Sequence, residues 1–249
     1  LFKLWNRLSS GSYFPPPVRA VEIPKKDGGL RVLGVPTVAD RIAQTVVRRY
    51  LEHDVEPVFH EDSCGYRPGR SAHQALRVCR ERCWRNDWVL DMDIKSFFDR
   101  VPWDLVLKAV AVHTDQRWIL LYVERWLRAP LQREDGSLVE RDRGTPQGSA
   151  ISPLLANLML HYAFDAWMAR EYPAVQFERY CDDIIVHARS ECQAQQVCGL
   201  TPEDRSGPCE SFSRPGSWAR KERSREATQE HAGADHPQAA GGRAACRAR

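Results

Sequence analysis

The sequence contains no apolar run approaching the length of a membrane span and no signal-like segment at its start, which predicts a cytoplasmic chain with no membrane partner. Its eight cysteines form no paired framework. Cys79 and Cys83 stand four apart on a helical stretch, but no second pair lies at zinc-ligand spacing, so they read as reduced thiols. Charge of one sign is also lacking. Thirty-six Lys and Arg against 33 Asp and Glu leave a formal charge of +3, so any hold on nucleic acid has to come from where basic residues cluster, not from their sum. The first residue is Leu1 and not methionine, so Leu1 is not expected to be the natural start.

From about Gly199 onward the chain lacks aliphatic periodicity and is dominated by Arg, Ala, Gly, Ser, Pro and Glu. Such a segment buries too little apolar surface to offset chain entropy, and residues 199–249 are expected to be a disordered tail. Seven acids among nine Lys and Arg in that span argue against a basic RNA-binding arm.

What the chain does contain is a succession of strong local signals. Residues 1–17 are aromatic and Pro-rich and read as extended. Val18–Pro24 and Leu30–Pro36 flank Lys25-Lys26-Asp27-Gly28-Gly29, a hairpin signal with Lys25, Lys26 and Arg31 near its tip. Thr37 and Asp40 cap a helix with Ile42, Val46, Val47, Leu51 and Val55 on one face. The loop Gly65-Tyr66-Arg67-Pro68-Gly69-Arg70 offers two arginines to phosphate and a tyrosine for stacking. Ser71 and Gln74 then cap a second helix.

Trp88–Ile94 reads as a buried strand ending in acids, with Asp91 and Asp93 on the same face. Ser96-Phe97-Phe98-Asp99 follows, then amphipathic helices over 103–112 and 116–128. A short hairpin turns at Glu134–Ser137. Next, Gly144-Thr145-Pro146-Gln147-Gly148 precedes a helix capped by Ser152, with Pro153 at its first position, running to about Arg170. Finally, Phe177–His187 reads as two apolar strands meeting at Tyr180-Cys181-Asp182-Asp183. Adjacent carboxylates repel, and keeping both ionised calls for a strong positive partner, most simply divalent metal. A third acid on another strand completes a two-metal site for phosphoryl or nucleotidyl transfer.

Taken together, "VRAVEIPKKDGGLRVLGVPTVADR", "GYRPGRSAHQAL", "DMDIKSFFDRVPWDLVLKAV", "RGTPQGSAISPLLANLMLHYAFDAWM" and "FERYCDDIIVHA" resemble the reverse transcriptases, most closely those encoded within group II introns. The resemblance implies an α+β right-hand polymerase fold. Residues 1–87 would form the fingers and residues 88–198 an incomplete palm, an antiparallel sheet with packed helices. By the same resemblance Asp93, Asp182 and Asp183 are the catalytic acids and the ligands of Mg2+. Lys26, Arg31, Phe98 and Gln147 line the nucleotide site, with Phe98 closing the space a 2′-hydroxyl would need, and Arg67 and Arg70 meet the template. Implied partners are an RNA template, a DNA primer, dNTPs and intron RNA.

The resemblance stops near residue 198, where such enzymes continue into further palm strands, a thumb and a maturase domain. The expectation is a chain frameshifted or rearranged there, with the thumb absent and polymerase activity weak. Two other readings remain open at this point: a maturase role, gripping intron RNA to assist splicing, and a degenerate product with neither activity.

Overall fold

A computed structural model describes residues 1–24, 28–94, 96–200 and 211–213. The backbone groups into two units, and the chain passes between them several times. Of the described residues, those within 1–61, 66–68 and 96–165 form the first unit, and those within 62–65, 69–94, 166–200 and 211–213 form the second. A single cut at residue 88 therefore does not separate them.

In the first unit, β1 (Val18–Pro24) and β2 (Leu30–Val35) form the expected hairpin, in register from Arg19↔Val35 to Pro24↔Leu30. β1 also pairs in parallel with β4 (Leu131–Gln132), which turns back into β5 (Leu138–Val139), so the sheet order is β2-β1-β4-β5. The helices are α1 (Phe2–Ser9), α2 (Val38–Val55), α4 (Phe97–Arg100), α5 (Trp103–His113), α6 (Arg117–Arg128) and α7 (Ser152–Leu160). α7 starts one residue earlier than the cap reading, with Ser152 inside it, and runs into one π turn at His161–Asp165. Val47 and Leu51 of α2, Val110 of α5, Ile119 and Val123 of α6 and Leu155 of α7 are fully buried and make up much of this unit's core.

Two details of the first unit differ from, or go beyond, the sequence reading. α1 is helical where an extended segment is expected. The prolines begin only at Pro15, and Phe2, Trp5 and Leu8 recur at helical spacing before them. The Tyr122 hydroxyl donates to the Leu8 carbonyl in the last turn of the helix at 2.7 Å, and Arg125 donates to the carbonyls of Gly11 and Tyr13 just beyond it, each at 2.7 Å. The Thr37 cap also extends further than predicted. Its oxygen accepts from the Asp40 amide at 3.2 Å, while the buried Asp40 carboxylate accepts from Thr37 and Tyr13, each at 2.7 Å, and from the Trp126 indole at 3.4 Å.

The second unit is an antiparallel sheet of order β6-β7-β3-β8. Its strands are β3 (Trp88–Asp93), β6 (Gln176–Tyr180), β7 (Asp183–Ala188) and β8 (Ser211–Ser213), and its helices are α3 (Ala72–Cys83), α8 (Ala166–Glu171) and α9 (Glu191–Leu200). Ser71 caps α3 as predicted, its hydroxyl accepting from the Gln74 amide at 3.2 Å. The tail expectation needs correction at two points. α9 continues through Leu200, and Ser211–Ser213 form a strand on the free edge of β3, pairing from Asp91↔Ser211 to Val89↔Ser213. An unpaired strand edge offers backbone donors and acceptors to any extended segment, whatever its side-chain pattern, so periodicity gives no warning of it. The rest of the tail lies outside the described residues. Among the described residues no helix is long and apolar enough to cross a membrane.

Candidate active site

All three acids of the sequence reading belong to the second unit. β3 and β7 pair antiparallel from Trp88↔Ala188 to Asp93↔Asp183, so Asp93 and Asp183 stand opposite each other at the end of the ladder. β6 and β7 close with Tyr180↔Asp183 as their last pair, leaving Cys181 and Asp182 as a two-residue turn. Asp91 lies one step further in, opposite Ile185.

The turn is held by neighbours that carry no obvious catalytic signal. Cys181 has φ +62°, while Asp182 is not among the residues of positive φ, a pattern of the type II′ hairpin turn, which ordinarily takes glycine at that first position. A side chain in this region costs about 1–2 kcal/mol, so the surroundings must impose the conformation. Gly65 lies against the turn, where a Cβ would come within 2.4 Å of the Cys181 nitrogen. Residues 62–64 run beside β6, with the Cys64 amide donating to the Arg179 carbonyl at 2.8 Å and the Arg179 amide donating to the Asp62 carbonyl at 2.9 Å. The buried Arg179 guanidinium donates to the Cys181 carbonyl at 3.1 Å. Burial, followed by the charge of Asp182, pushes the Cys181 thiol up to about 12, so it stays neutral.

The electrostatics fit a cation. Burial raises the Asp183 carboxyl, and the charges of Asp182, Asp93 and Asp91 raise it further. Several carboxylates crowd one strand end, and their oxygen donors suit a hard divalent ion better than a thiophilic one. Asp93 and Asp183 face each other across the ladder, and their carboxylates are donors of the kind such a metal takes.

The first unit contains the residues expected around a nucleotide. Gly144, at φ +79°, packs where a Cβ would lie 2.7 Å from the Asp99 carbonyl oxygen. The Thr145 amide donates to the Phe98 carbonyl at 2.6 Å, and the Trp103 indole donates to the Gly144 carbonyl at 2.6 Å. These contacts pin the Pro-Gln-Gly loop to the turn that carries Phe98. Phe98 itself is half-buried, edge-on to Phe97 with ring centroids 5.7 Å apart. Arg31 Nε donates to Gln147 Oε1, and Gln147 Nε2 donates to Asp99 at 3.4 Å. A cavity of about 280 Å³ lies here, lined by Val32, Gly34, Asp99, Arg141, Gly144 and Gln147 among others.

The remaining expected residues divide. Lys26 lies outside the described residues. Arg70 is half-buried just ahead of α3. Arg67 departs from expectation. Its guanidinium is buried, donating to Glu56 at 2.9 Å and to the His60 carbonyl at 2.6 Å, and it lies 5.2 Å from the centre of the Phe59 ring. It braces its own loop and does not present itself to a template, because the acceptors it meets lie only 7 and 11 residues away in sequence. Sequence reasoning missed Arg179, Asp99 and the close packing of Gly65. Arg179 did leave a trace, a charged residue in an otherwise buried strand.

The family described as "Reverse transcriptase (RNA-dependent DNA polymerase)" matches residues 23–201. Protein YkfC of Escherichia coli K12 is 39% identical over 178 residues, covering 68% of this chain and 45% of that protein. The group II intron-encoded protein LtrA of Lactococcus lactis is 36% identical over 160 residues, covering 64% of this chain and 26% of that protein. The chain therefore spans less than half the length of either curated relative. Among solved structures, telomerase from Candida albicans, in complex with a fragment of telomeric RNA, superimposes with a TM-score of 0.59. At 15% identity it covers 74% of this chain and 38% of the telomerase chain, a likeness of fold.

Proposed function

The chain belongs to the reverse transcriptase (RNA-dependent DNA polymerase) family, with relatives of the group II intron-encoded type, and we propose that it carries an RNA-directed DNA polymerase centre of such an element. The reaction joins a dNTP to the 3′-hydroxyl of a DNA primer paired with an RNA template. The observation that carries this reading is the pairing of Asp93 with Asp183 at a strand end, with Asp182 in the adjoining turn. An RNA-binding protein without catalysis has no use for repelling carboxylates gathered in one place.

Family members use divalent metal, and Mg2+ is the ion proposed for Asp93, Asp182 and Asp183. When bound, it supplies charge neutralisation for the triphosphate and a lowered pKa for the primer hydroxyl. The protein's own residues do the rest. The turn imposed by Gly65 and Arg179 fixes Asp182 and Asp183 before any ligand arrives, so their geometry costs nothing at the moment of reaction. Phe98, its backbone anchored by Thr145, is proposed to leave no room for a 2′-hydroxyl. Gln147, held between Arg31 and Asp99, is proposed to line the sugar and base, and Arg31 to offer its remaining N–H groups to the triphosphate, with Lys26 as the second proposed cation. Arg70 is proposed to meet template phosphate, a contact independent of sequence.

Primer extension tests the proposal. Oligo-dT annealed to poly-rA should be extended with dTTP and Mg2+, and the Asp182→Asn chain should give no product. Extension undiminished in that variant would remove the three-acid site from the reaction.

A further inference from the structure

α3 covers the face of the second sheet that carries Glu178 and His187, and it brings Cys79 and Cys83 to that face. The two sulfurs and a ring nitrogen of His187 all lie within 4.8 Å of one another. The histidine is buried. Its Nε2 meets a carboxylate oxygen of Glu178 at hydrogen-bond distance, and its Nδ1 is buried with no hydrogen-bond partner among the described residues. The other oxygen of Glu178 is held by Arg82, which also takes Asp62 in a two-pronged pair at 2.9 Å.

We propose that Cys79, Cys83 and His187 form a zinc site, with His187 binding through Nδ1 and Glu178 orienting its ring from behind.

Four features support this. Two thiolates and an imidazole are a soft donor set that selects Zn2+ over the hard ions suited to the aspartates. Tetrahedral zinc places its sulfur ligands about 3.8 Å apart, given Zn–S bonds of about 2.3 Å, so the observed cluster needs to contract by no more than about an ångström. A carboxylate on the far nitrogen of a ligating histidine fixes its tautomer and strengthens it as a ligand. On binding, the protons of both thiols go to solvent and Nδ1 binds as the unprotonated nitrogen, leaving two thiolates and a neutral imidazole to cancel the charge of the ion. Both cysteines are half-exposed, which leaves room for water as the fourth ligand. The site would staple α3 to β7, the strand that begins at Asp183. Cys79 and Cys83 alone lacked a partner pair at zinc spacing; the third ligand comes from more than a hundred residues away.

The test is Co2+ titration of the full reduced chain. The expected result is a thiolate-to-cobalt charge-transfer band reaching its end point at one ion per chain, bleached by Zn2+, and lost in Cys79→Ser/Cys83→Ser and in His187→Gln. Cobalt on the aspartates gives no such band, so the two metal sites are read separately. Absence of the band in the reduced wild-type chain, or its survival in the serine pair, overturns the proposal. Should the serine pair fail to fold, thiol mapping decides: Zn2+ should shield Cys79 and Cys83 from iodoacetamide while Cys192 still reacts. Equal labelling of all three with and without Zn2+ overturns the site.

Discussion

A Cβ on Gly65 would stand 2.4 Å from the backbone nitrogen of Cys181 and 3.0 Å from the carbonyl carbon of Tyr180. Both partners are main chain, so neither can swing aside, and the turn that carries Asp182 seats itself on a residue with no side chain. Gly65→Ala should cost about 1–3 kcal/mol in urea unfolding, the usual penalty for overpacking. It should also lower polymerase activity in the fraction that remains folded, because the displaced backbone carries Asp182. Wild-type stability together with wild-type activity would remove Gly65 from this role.

The strained residue on the other side of that contact gives a second, independent prediction. Cys181 is buried at φ +62°, so truncating it to Ala and to Gly removes the same thiol but treats the backbone differently. Glycine is normally the more destabilising choice. Here Cys181→Gly should be more stable than Cys181→Ala by about 1 kcal/mol, since only alanine keeps the steric cost of the left-handed region. The ordinary ranking, alanine above glycine, would show that the turn is not strained.

Asp183 makes a prediction about pH. Its carboxyl is raised in the folded chain by burial and by Asp182, Asp93 and Asp91, so the unfolded form ionises more readily. Its contribution is therefore most favourable below the unfolded carboxylate pKa and is lost as pH rises through the folded value. With EDTA present at neutral pH, Asp183→Asn should melt at a higher temperature than wild type, and the difference should shrink on acidification. Mg2+ should raise the wild-type melting temperature more than that of the variant. A variant that melts lower in EDTA would mean that the carboxylates do not repel one another.

Much of this was legible in the chain itself. The hairpins turning at Gly28, Gly136 and Cys181 and the helix caps at Thr37 and Ser71 are local patterns, each decided by residues a few positions apart. The acids were legible too, because carboxylates in a buried strand and at a turn conflict with burial and call for an explanation. What stayed hidden depends on partners that no local pattern names. Arg67 reads as an exposed loop residue, and only the contacts with Glu56 and the His60 carbonyl turn it inward. Gly65 reads as mere loop freedom until Cys181 is set against it. The β8 strand has no side-chain signature at all, since its pairing with β3 is a matter of backbone.

Phe98 carries the sugar-selection prediction. Its ring is half-buried against Phe97, and its carbonyl is tied to Thr145, so shortening the side chain should open space without moving the loop. Phe98→Ala should reduce discrimination between dTTP and UTP by about 10-fold or more, an effect on the order of losing one well-packed contact. It should leave extension with dTTP within a few-fold of wild type. Unchanged discrimination would remove Phe98 from the gate.

Asp93, Asp182 and Asp183 are proposed to act as one unit. The most direct measurement is the rate of a single dTTP addition opposite rA, with Mg2+, in Asp93→Asn, Asp182→Asn, Asp183→Asn and the pairwise doubles. Each single variant should lose at least about 10²-fold, and the doubles should lose little more, because groups that share one function are not additive. Wild-type rate in any one of the three single variants would contradict it.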